Sequence, residues 1–102
     1  MPNPGGEDGT AGDFVNSEAA AAWLWILGNQ VVGQEPGGFM SLILRAWLSA
    51  DRSNRAKLDQ GWPEHSFALD VFRQHGEAAL ISAAQRPARA RANQEAARGD
   101  QG

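Results

Sequence analysis

Apolar residues recur along this chain at the three-and-four spacing of helices, and no stretch alternates at period two between turn residues. The first helix is expected to start at Asn16 or Ser17, both good N-caps, with Glu18 in its first turn. Ala19 to Ala22 supplies high helix propensity, and Trp23, Ile26, Leu27 and Val31 mark one face. Val32 is the expected end, with Gly33 as the residue that stops the helix. Trp23 and Trp25 point roughly 200° apart on such a helix, so both cannot face one small core. Either one of them packs at the rim, or the second face, carrying Trp25, meets another chain.

A loop, QEPGG, follows at 34–38. The next helix, about 39–50, has polar residues only at Ser41, Arg45 and Ser49, which form one narrow stripe. A helix apolar on nearly all other sides is expected to be buried, so 39–50 is predicted to be the central helix of the fold. Arg45 is then either a solvated residue of the stripe or the partner of an acid such as Asp70.

Polarity changes abruptly at Asp51, a good N-cap for a surface helix over Arg52 to Gln60 in which only Ala56 and Leu58 are apolar. Arg55 and Asp59 are spaced to pair across one turn. Gly61 reads as a stop. Trp62-Pro63 restarts the chain, because proline is favoured at the first helical position and disfavours helix in the residue before it. Helices are therefore expected over Pro63 to His75 and Glu77 to Gln85, either separated at Gly76 or continuous across it at a cost of about 1 kcal/mol. The class is all-α, a small bundle of four to five short helices. One helical domain spans 14–86, an acidic disordered tail occupies 1–13, and an Arg/Ala-rich disordered tail occupies 87–102.

Composition narrows the picture. The 102 residues form a single domain that buries only about 60% of the surface its unfolded chain exposes. With no cysteine, neither a disulfide nor a thiolate metal site can staple the fold, and the cytoplasm is the expected compartment. The net charge of −3 gives no overall attraction to nucleic acid. The longest uncharged run, Ala19 to Gln34, has sixteen residues, short of the ~20 a membrane span needs.

Candidate chemistry is sparse. His65 and His75 lie ten residues apart, roughly 15 Å along one helix, too far to share a metal. No zinc-protease, calcium-loop, phosphate-loop or nucleophile-elbow motif is present, and carboxylates do not fall in pairs on an apolar face. No catalytic residue, cofactor, metal or small-molecule substrate is therefore expected. Arg86, Arg89, Arg91 and Arg98 form the one basic cluster, diluted by Glu95 and Asp100. A helix-turn-helix over Arg52–Gln60 and Pro63–His75 would put the basic residues on the first helix and a base-reading helix poor in Arg, Asn and Lys second.

Residues 42–73, LILRAWLSADRSNRAKLDQGWPEHSFALDVFR, resemble small uncharacterised proteins encoded by phages and mobile elements of high-GC Gram-positive bacteria. An apolar helix is followed by Ala50, Asp51, Asn54, Lys57 and Leu58, then by Gly61-Trp62-Pro63-Glu64 and a further helix. The resemblance implies provenance and a helical fold, with no activity or site. The expectation is thus a non-enzymatic, phage-type accessory protein that binds protein, by self-association or through a bacterial host factor. Its candidate contact residues are Trp25, Arg52, Arg55, Lys57 and Trp62. Two alternatives are a DNA-associated regulator using the basic 52–57 helix with the Arg-rich tail, and a structural component of the virion.

Overall fold

In the computed structural model, which describes residues 13–101, Asn16 caps the first helix, α1 (Ser17–Ile26). Its side-chain oxygen accepts from Ala19 N at 2.9 Å, satisfying one of the N–H groups that a helix start leaves open. The expected tail over 1–13 lies outside the described residues, apart from Asp13. Five further helices follow among the described residues: α2 (Gly38–Ser49), α3 (Arg52–Gly61), α4 (Pro63–His75), α5 (Glu77–Ala84) and α6 (Arg86–Gln101). The protein is all-helical in this range, and no described helix is long and apolar enough to cross a membrane.

The centre of the fold is α1, not α2. All six residues from Ala19 to Leu24 are buried, and α1 packs on α5, α4 and α2. Ala19 and Ala20 from α1 and Ala79 and Ala83 from α5 enter the same core cluster. Alanines let two helix axes come close, which suits the most extensive helix pair among the described residues. Trp23 fills the centre. Its ring meets Trp47 edge to face at 5.7 Å, and its indole N–H donates to His65 O at 2.8 Å. A buried indole needs such an acceptor, and here it ties α1 to the first turn of α4.

The expectation of a buried central helix at 39–50 is corrected. Only Leu44 and Trp47 of α2 are buried, while Phe39 and Leu42 are 67% and 69% exposed. In the polar stripe Arg45 and Ser49 are exposed and Ser41 is half-buried. The exposed arc is wider than that stripe and takes in Phe39, Leu42, Ala46 and Leu48. An apolar perimeter is buried only if neighbours surround it, and a chain this short has no second layer to put there.

The end of α1 also differs from expectation. It stops at Ile26, well before Val32. Gly28 adopts φ +109°, donates to Trp25 O at 3.2 Å, and the next residue, Asn29, donates to Leu24 O at 2.8 Å. This is a Schellman end, with Gly28 in the role expected of Gly33. Asn29 then organises the return: its side-chain oxygen accepts from Val31 N and Val32 N, both at 3.1 Å, and its amide donates to Glu77 at 3.3 Å. Gly33 is buried against the helix it was expected to end. A Cβ there would overlap Asn29 O and Trp25 N and lie 2.9 Å from Leu24 C. Gln34 N, donating to Ala21 O at 3.1 Å, pins the returning strand of backbone to α1.

The later boundaries follow the sequence closely. Asp51 caps α3 by accepting from Asn54 N at 2.8 Å. Pro63 opens α4, and Gly76, at φ +87°, closes it. Helix α3 runs one residue further than expected, through Gly61, and Trp62 alone separates it from α4. Helix α6 (Arg86–Gln101) runs over most of the 87–102 segment expected to be disordered. The helix continues outward from α5 with little cover: residues 87–95 are all exposed, and Arg89 reaches back to Ser82 O at 2.9 Å. Alanine and arginine favour helix without burial, which accounts for the conformation.

Candidate protein-binding face

Helices α2 and α3 form an antiparallel hairpin through the turn at Ala50-Asp51. At its open end the rings of Phe39 and Trp62 lie 6.2 Å apart with planes at 51°. At its closed end a cleft of about 460 Å³ is lined by Ala46, Ser49, Ala50, Asn54, Lys57 and Leu58, with Asp51 at the turn. The inner sides of the hairpin join the core through Leu44, Trp47, Ile43, Leu58 and Trp62.

Helical geometry puts Phe39, Leu42, Ala46 and Ser49 within an arc of roughly 80° on the outer flank of α2. The face is therefore two large exposed apolar side chains followed by two small ones, the latter opening into the cleft. The Ser49 hydroxyl turns its proton back onto its own helix, donating to Ala46 O at 3.2 Å and Arg45 O at 3.4 Å. Exposed large apolar side chains grouped on one face, and not scattered singly, are the feature that marks contact surfaces.

The five residues expected from sequence to touch a partner do not form one site. Trp62 is half-buried beside Phe39, and Lys57 borders the cleft, so these two belong to the hairpin face. Arg52 is exposed, but helical geometry turns it roughly 140° from Lys57. Arg55 leans inward, and its Nε is buried with no hydrogen-bond partner. Its expected partner Asp59 instead accepts from Ser66 Oγ at 2.8 Å, bracing α3 on α4. Arg52 and Arg55, roughly 60° apart, share one side of α3, and Lys57 points away from both. Trp25 is half-buried at the end of α1. Phe39 and Leu42 were missed because the apolar density of α2 was assigned wholly to the core. The signal available was the imbalance itself: too many large apolar residues on one helix for the neighbours a short chain can supply.

A second cleft, of about 350 Å³, lies between α1, the 34–37 loop, α2 and α4, and includes Glu18, Gln34, Glu35, Met40 and His65. Burial holds the pKa of His65 below its ordinary value, against the opposing pull of Glu64 and Glu18. Among the described residues no three His, Cys, Asp or Glu side chains are grouped to hold a metal. Comparisons with family models, curated proteins and solved structures gave no match to this chain.

Proposed function

We propose that this chain is a non-enzymatic, phage-type accessory protein that works in the cytoplasm by binding protein through the outer face of the α2–α3 hairpin. One observation carries the reading. Phe39 and Leu42 stand 67% and 69% exposed on the same face of α2, beside a half-buried Trp62 and an open cleft. Aromatic residues at a partly desolvated site, next to a pocket, are the pattern of binding hot spots. A nucleic-acid surface is less well supported, because Lys57 is turned away from Arg52, Arg55 leans inward, and the net charge is −3.

The test is differential capture. Tagged wild-type protein and its Leu42→Asp variant are offered the same bacterial lysate, with circular dichroism checking that both are folded. The expected result is a protein retained by the wild type and lost by the variant. Identical capture profiles would remove this face from consideration.

A further inference from the structure

Resting on that protein-binding reading, we infer that the occupant of the hairpin face is a second copy of this chain, packed α2 against α2 in antiparallel fashion about a two-fold axis. Residues 1–13 and 87–102 cannot fill the role. Apart from Met1, residues 1–13 and 87–102 contain no apolar side chain larger than proline, so neither offers a group to cover Phe39 and Leu42. The cover must bring large apolar side chains of its own.

The face is complementary to itself. When two identical helices pair antiparallel about a two-fold axis, residue i of one faces residue j of the other, and i + j is constant along the contact. Setting Phe39 opposite Ser49 sets Leu42 opposite Ala46 in the same register. Each large side chain then meets a small one, which is how well-packed helix pairs interdigitate. Phe39 and Leu42 stand exposed, while Ala46 and Ser49 line the 460 Å³ cleft, so projection and recess lie on one surface in the required order. The Ser49 hydroxyl already donates to carbonyls of its own helix, so covering it strands no donor.

Charge supports the same register. Glu35 is exposed four residues before Phe39, and Arg52 is exposed just past the other end of α2. Antiparallel pairing brings the acidic approach to one helix near the basic exit of the other, and opposes the two helix dipoles. One twelve-residue helix per subunit makes a small interface, below the ~1,200 Å² of standard complexes, so the dimer dissociates on dilution.

Sedimentation velocity on the full chain from about 1 µM to about 500 µM tests this. The expected weight-average mass climbs toward twice that of the chain, and Leu42→Asp moves the midpoint at least about tenfold higher in concentration. The absence of native cysteine permits a register test. Mixed Phe39→Cys and Ser49→Cys proteins should form a disulfide-linked dimer on mild oxidation. Phe39→Cys alone should not, since the two copies of that position stand roughly 15 Å apart along the helix axes. A constant monomer mass, a dimer indifferent to Leu42→Asp, or equal cross-linking of Phe39→Cys alone overturns the proposal. A monomer whose wild-type form still captures a lysate protein that Leu42→Asp loses would sink the dimer and keep the protein-binding reading. Loss of both would sink both.

Discussion

Helices α1 and α2 are both strongly apolar, yet one is sealed in the core and the other lies half open. In α1 the four alanines allow α5 to come close, so even the large Trp23 is fully covered. In α2 the large residues are spread around the perimeter, and a neighbour can approach only the side of Leu44 and Trp47. Burial is therefore decided by how closely neighbours can approach and how many there are, as much as by hydrophobicity. Side chains left over on α2 are available for intermolecular contact, whereas those of α1 are committed to stability.

Four sets of substitutions and one titration would break or sharpen this contrast. Trp23→Ala should cost about 3–5 kcal/mol in urea unfolding, since it empties the centre of the core and leaves His65 O without its donor. If it cost no more than a surface change, α1 would not be the hub. Gly33→Ala should cost about 1–3 kcal/mol, because a methyl group there collides with the α1 backbone. Its thermal midpoint would fall, and an unchanged midpoint would show that the return segment does not press on α1. Of the two caps, Asn16→Ala should lower stability by about 1 kcal/mol, while Asp51→Ala should cost less, near about 0.5 kcal/mol. The difference follows from α3 burying no residue, so that its fraying takes little of the core with it. Leu42→Asp should leave the unfolding free energy within about 0.5 kcal/mol of wild type while weakening contacts made through the hairpin.

The smallest effect concerns His65, which sits between the two helices. Its pKa is lowered by burial, so the unfolded chain binds a proton more readily. The stability linked to this residue is fully present above its ordinary value of 6.5 and is lost as pH falls through 6.5 toward the lowered folded value. Urea midpoints measured on the acid side of neutrality should decline more steeply for wild type than for His65→Gln. Parallel slopes would mean that the cleft leaves His65 as hydrated as it is in the unfolded chain.

Much of the chain's local structure was legible. The cap at Asn16, the cap at Asp51, Pro63 as a helix start and Gly76 as a stop each depend on one residue and its immediate neighbours, and each stands where expected. What was not legible involved competition or tertiary contact. Gly28 and Gly33 are both able to end a helix; Gly28 does so, because Gly33 is needed where the backbone passes against α1. The residue choice at 28–33 does not reveal that contact before the chain is folded back. The candidate face was read only at its edges, through Trp62 and Lys57. Its centre at Phe39 and Leu42 looked like core, since exposure depends on which neighbours are missing. Over α6 the two local signals disagree: low hydrophobicity points to disorder, whereas alanine and arginine favour the helix that is found.

Trp62 is the only residue between α3 and α4, and it is followed by a proline whose φ is fixed. Turning α3 thus means turning α4, and the first turn of α4 is held by the Trp23 indole. A partner docking on the hairpin face would accordingly meet it already in shape. Association there would have little backbone to immobilise, so a modest contact area can yield a useful affinity.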